Sequence, residues 1–202
     1  MVGRTPQSTV QAWFAAGARP EIAAAIESVH LEIAEAIREI GPLCLASGSC
    51  CRFEAHGHRL YASGLEVARC VAICDSEAAG VSAEDVAESV ERGTCPWQDG
   101  RLCTARSGRP TGCRVYFCDP RADEVVPKLA EAAHERIRAI HDDHDVPYVY
   151  GEWRSMLADV LSARNPADSD RGKRSAMKNA GSDRSAAPRV FRHGRSLTVI
   201  PR

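Results

Sequence analysis

No stretch of the 202 residues approaches the roughly 18 to 20 consecutive apolar positions that cross a bilayer, so no membrane partner is expected. The start, MVGRTPQSTVQAWFAAG, has one arginine and then polar residues, without the apolar run of about 7 to 15 that a secretory signal requires. A cytoplasmic location is therefore expected. GxGxxG after a strand, GxxxxGK followed by Ser or Thr, GxSxG and HExxH are all missing. The usual nucleotide, hydrolase and zinc-protease signatures are thus excluded, and no catalytic residue is named. The pair CxxC does not occur either: successive cysteines are 6, 1, 19, 4, 21, 8, 10 and 5 positions apart, which disfavours zinc ribbons and ordinary fingers. The ferredoxin run CxxCxxCxxxCP is also absent, which leaves open only a cluster of other spacing.

Cysteine itself is plentiful. There are nine, an odd number, in a chain expected to stay in a reducing compartment, where disulfides are rare and thiolates persist as ligands or nucleophiles. With 202 residues and a hydrophobic fraction of 44%, the chain has material for one ordinary domain plus an extension, so small size does not explain the cysteines. The net charge of −1 conceals an asymmetry. Residues 162–202 carry ten Arg and Lys against three Asp, a net +7, and the preceding residues carry 16 basic and 24 acidic groups, a net −8.

Hydrophobic periodicity predicts a mainly helical domain of four or five helices over 20–162, after an N-terminal extension at 1–19. Ile22, Ile26, Val29, Ile33, Ile37 and Ile40 form one stripe over 20–40, with Pro20 suited to the first turn and Gly41 to the end. Ser63 and Glu66 fit a capping box that opens a helix running to about Cys74, and a third helix is predicted from Ser82 to Arg92. A long helix is expected over 121–144, with Pro127 tolerable only near its first turn, and a short amphipathic one over 151–162. Residues 163–202 hold few large apolar side chains and are expected to form a basic disordered tail. Leu197 to Ile200 near its end is read as a free terminus rather than a docking strand.

Most cysteines lie in two segments poor in aliphatic residues, CLASGSCC at 44–51 and CPWQDGRLCTARSGRPTGCRVYFC at 95–118. Packing alone holds such segments weakly, whereas one structural zinc supplies about 10 to 16 kcal/mol, comparable with the stability of a whole domain. Adjacent side chains diverge, so Cys50 and Cys51 are expected to serve two ions, or one ion and the core. Cys70 and Cys74, four apart on the predicted helix, either join a metal or simply pack in the core beside Leu65, Val67, Val71 and Ile73. His56 and His58 offer further ligands, although exposed loop histidines are commoner. His134, His141 and His144 share nearly one helix face and are read as boundary residues. Trp97, Tyr116, Phe117 and Phe53 are expected to shield the site.

CLASGSCC, CPWQDGRLC and RPTGCRVYFC together resemble the cysteine-cluster family called YkgJ-like, associated with zinc or iron chelation, over about residues 44–120. Its pattern, approximately CxxCxxCC, then CPxxxxxxC and RPxxCRxYxC, maps onto Cys44, Cys50, Cys51, Cys95, Cys103, Arg109, Pro110, Cys113, Arg114, Tyr116 and Cys118. Ser47 stands where the motif has its second cysteine, so that ligand is missing or comes from elsewhere, with Cys70 or Cys74 able to replace it. The resemblance implies a cage that holds zinc or an iron–sulfur cluster through these thiols. Arg109 and Arg114 are expected to offset the thiolate charge.

Three functional readings follow. The first is a noncatalytic metal-binding protein. The second is an iron–sulfur enzyme or subunit, since the cluster also resembles part of the flagellin lysine methylases, with a thiol redox sensor as a variant. The third is weak nucleic-acid binding through the +7 tail.

Overall fold

The N-terminal residues expected to form an extension instead enter the core. In the computed structural model, which describes residues 4–164, helix α1 (Gln7–Gly17) buries Val10, Trp13 and Ala16. The Trp13 indole N–H donates to the Pro147 carbonyl at 2.7 Å, and its ring lies where a side chain on Gly64 would stand. The packed unit therefore begins before Pro20.

Helix α2 (Pro20–Ile40) follows the predicted stripe, with Pro20 in the first turn and Gly41 closing the last turn at φ 60. Ile22, Ile26, Val29 and Ile33 are buried, each worth about 1.5 to 3 kcal/mol when fully removed from water. His30 is buried among them.

Strand β1 (Tyr61–Ser63) leads directly into α3 (Gly64–Ser76), where both halves of the Ser63–Glu66 capping box are formed. Helix α4 (Ala83–Glu91) has a second capping box between Ser82 and Asp85. Strands β2 (Gln98–Asp99) and β3 (Leu102–Cys103) make a small hairpin that pairs Gln98 with Cys103, and a single α-turn, α5 (Thr111–Arg114), follows.

The long helix α6 (Val126–Asp143) starts later than residue 121, with Pro127 in its first turn; a 3-10 turn at Pro120–Ala122 precedes it. Strand β4 (Tyr150–Glu152) pairs antiparallel with β1 and leads into α7 (Trp153–Arg164). Helix α3 packs against α1 and α7, α7 also meets α4, and α2 lies along α6. The fold is mainly helical, and the two short sheets fasten the starts of α3 and α7 to each other and Gln98 to Cys103. No helix among the described residues is long and apolar enough to cross a membrane. The tail expected over 163–202, including Leu197 to Ile200, lies outside the described residues from 165 onward.

Candidate metal centre

The two thiol-bearing segments meet through backbone contacts. Gly48, at φ 76, presses its backbone against the β2–β3 hairpin so closely that a Cβ would stand 3.1 Å from the Arg101 Cα. The Ser49–Cys51 turn follows, and the Cys95 N–H donates to the Cys51 carbonyl at 2.8 Å. Arg154, buried at the start of α7, binds the chain just after the first segment and just before the second. It pairs with Glu54 at 2.7 Å, donates to the Thr94 carbonyl at 3.5 Å and stacks over Phe53 at 5.0 Å. Cys51 and Cys95 are each within a few residues of this joint.

The thiols themselves gather around Cys51. Its sulfur is 4.0 Å from that of Cys50. The thiols of Cys103, Cys50 and Cys95 act on Cys51 together with burial, and all push its proton affinity up. Its neighbours shift the other way. Hydrogen bonding from Cys51 is the largest cause holding Cys50 at about 6, against the opposing effect of burial, and Arg109 and Arg106 add to the lowering. Cys103 is held at about 7, again chiefly by Cys51, with the Ala105 backbone N–H and Arg109 contributing. Cys51 has one S–H proton to give, so it supports one thiolate neighbour at a time, and the charge of Arg109 favours the thiolate form of Cys50 and of Cys103 alike.

The second close pair is on α3, where the sulfurs of Cys70 and Cys74 are 3.9 Å apart and both are buried. Contact with Cys74 and burial push the Cys70 thiol up, as do the charges of Cys113 and Cys95; hydrogen bonding to Cys70 pulls Cys74 down. Burial also raises Cys113, at the α5 turn. Cys44 and Cys118 are exposed and take part in neither close sulfur contact. They flank a joint in which the Leu43 N–H donates to the Asp119 carboxylate at 2.7 Å, a contact that helps hold Asp119 well below the usual carboxylate range after the larger effect of Arg121.

The two arginines expected to serve the thiols divide their work. Arg109 is the cation whose charge reaches Cys50, Cys103 and Cys113. Arg114 instead spends its guanidinium on backbone, donating to the Arg109 carbonyl at 2.8 Å and the Ser107 carbonyl at 3.0 Å, and so clamps the 106–110 loop.

His58 stacks on Tyr116 at 4.6 Å and meets Phe53 edge-on, with its Nε2 3.4 Å from the Cys50 carbonyl, whereas His56 is exposed. The helix histidines serve elsewhere. His134 bonds the Tyr148 hydroxyl at 2.8 Å, and His141 faces the carbonyls of Val146 and Pro147. Phe53 and Trp97 are buried, Tyr116 and Phe117 half-buried.

Glu66 does more than cap α3. Besides the Ser63 N–H at 3.0 Å, its carboxylate accepts the Thr111 N–H at 2.8 Å and so fixes the RPTGC segment to the helix. Sequence reasoning missed this second bond and missed Arg154 altogether. Glu66 carried a signal as a cap, but partners 45 and 100 positions apart leave no local trace.

A tetrahedral ion with arms of about 2.3 Å places its sulfurs about 3.8 Å apart. The pairs at 4.0 and 3.9 Å therefore fit a metal shell one edge at a time. Among the described residues no group of three or more His, Cys, Asp or Glu side chains stands close enough to hold an ion, so the thiols are gathered without closing a shell. The chain matches no family model, no curated protein and no solved structure, and the YkgJ-like resemblance rests on its motif residues alone.

Proposed function

We propose that this chain binds zinc or an iron–sulfur cluster through the thiols surrounding Cys51, with Cys50, Cys95 and Cys103 as principal ligands and Cys113 beside them. The observation that carries the reading is the backbone joint that sets the two thiol-bearing segments side by side, with the Cys95 N–H on the Cys51 carbonyl at 2.8 Å, Gly48 against Arg101 of the β2–β3 hairpin, and the Cys50 and Cys51 sulfurs 4.0 Å apart. Two segments far apart in the chain bring their thiols into one neighbourhood, and soft donors of this kind select zinc and iron clusters over hard cations. Small movements of the hairpin against the 49–51 turn would close the shell, as expected where binding and ordering are coupled. Arg109 would then offset part of the thiolate charge, and Phe53 and Trp97 would limit water.

The test is anaerobic purification of the full chain followed by metal analysis and a visible spectrum. Bound zinc in a colourless protein, or iron with acid-labile sulfide in a brown one, supports the reading and chooses between its two forms. Cys51→Ser and Cys95→Ser are expected to lower metal content. Metal content that is unchanged in both variants, or a chain that takes up no thiophilic metal, overturns it.

A further inference from the structure

Neither Cys70 nor Cys74 belongs to the motif that carries the family resemblance, yet their thiols form the tighter of the two close sulfur pairs, at 3.9 Å. Both project from one face of α3, one turn apart, at 1% and 0% exposure. Unlike the loop thiols, they are held by a regular helix whose start is fixed by a complete capping box. The two sulfurs lie within hydrogen-bonding reach of each other, and either can be the donor. The 106–110 loop lies against Cys70: a Cβ on Gly108 would stand 3.1 Å from the Cys70 backbone and 3.2 Å from its sulfur, and Arg114 holds that loop through two of its carbonyls.

We propose that Cys70 and Cys74 form a separate site for a monovalent soft cation, cuprous copper, held between the two sulfurs of α3 beneath Gly108. Two thiolates satisfy a cuprous ion, whereas zinc calls for four ligands, and among the described residues no third His, Cys, Asp or Glu completes a group with this pair. Binding forms two Cu–S bonds, the displaced thiol protons leave to solvent, and copper remains monovalent, so no oxidant or reductant is consumed. The apolar core residues on the same helix, including Leu65, Val67 and Val71, limit the water in which unligated cuprous ion disproportionates. Entry requires the Gly108 loop to lift, and a side chain at that position would press on the Cys70 backbone and sulfur.

This site does not depend on the loop-thiol reading, and the experiment separates the two. The full chain, reduced and kept anaerobic, is titrated with cuprous ion delivered as its acetonitrile complex in competition with bicinchoninate. The α3 variant Cys70→Ala/Cys74→Ala is expected to lose one tightly bound equivalent, while Cys51→Ala/Cys95→Ala retains it. X-ray absorption of copper in the latter is expected to show two sulfur neighbours. Cys74→Ser exchanges a single atom, so it repeats the test if the double variant fails to fold by circular dichroism, and at least a tenfold weaker hold on copper is expected. Gly108→Ala should slow uptake. Undiminished copper binding by both α3 variants, or copper bound only through oxygen and nitrogen in the loop variant, overturns the proposal. Zinc or iron content of the α3 variants reports separately on the loop thiols.

Discussion

The helical part of the molecule and the thiol-bearing loops are stabilised by different means. Around α1, α3 and α7 the holding groups are large apolar side chains: Trp13, Leu65, Trp153 and Leu157 are fully buried, and Trp97 packs 5.8 Å from Trp153 at the edge of the loops. In and beside the segments 44–51 and 95–118, backbone amides and a few long polar side chains add directional contacts to the buried Trp97 and Val115: Glu66 on Thr111, Arg114 on two carbonyls, Arg154 on Glu54 and Thr94. Hydrophobic packing is non-directional and sums over many contacts. Directional clamps act at a few points, so the loss of one is felt locally, whereas the loss of a large buried side chain is felt throughout the helical part.

The helical part is most sensitive at Trp13. Truncation to alanine removes a fully buried indole and its bond to Pro147, with an expected loss of about 3 to 5 kcal/mol by denaturant unfolding. Added metal should leave that loss largely in place; full rescue by metal would mean that the helical scaffold is not independently held.

Glu66→Ala comes next. It leaves the buried N–H groups of Ser63 and Thr111 without an acceptor, each costing about 1 to 3 kcal/mol. Amide exchange at Thr111 should accelerate more than exchange at core positions of α2, and unchanged protection at Thr111 would show that the clamp is dispensable.

His30 gives a smaller effect that depends on pH. Burial first, then Arg114 and Arg69, lowers its imidazole from 6.5 to about 3. The unfolded chain therefore binds a proton between those values that the folded chain refuses. The stabilisation is complete above about 6.5 and falls with pH through that window, at up to about 1.4 kcal/mol per pH unit. His30→Phe should flatten that part of the stability profile, and an identical slope in the variant would assign the acid sensitivity to other groups.

Smallest is Ser82→Ala, which removes an exposed cap of α4 and should cost about 1 kcal/mol without changing metal content. A measurable loss of bound metal in that variant would show that α4 is coupled to the thiols after all.

Much of the helical part was legible because its signals are local. The stripe from Ile22 to Ile40 gave α2 end to end, and Ser63 and Ser82 marked the starts of α3 and α4. Helix α1 escaped notice because its buried positions, Val10, Trp13 and Ala16, are few and its remaining small residues carry little periodicity. The strand pairing of Tyr61 with Glu152 was equally hidden, since three-residue strands carry almost no pattern. Within the candidate site, composition pointed to the thiol segments, but not to Arg154, nor to the use of Arg114 as a clamp on the 106–110 loop.

Residue order alone decided where helices begin, which faces are apolar and which segments carry sulfur, because capping and periodicity act over three to seven positions. Only the folded chain decided which sulfurs are neighbours. A backbone bond brings Cys95 to Cys51 across more than forty positions, and Cys44 and Cys118 are left at the surface. Spacing along a chain constrains distance only locally; beyond that, packing and long-range hydrogen bonds choose the partners.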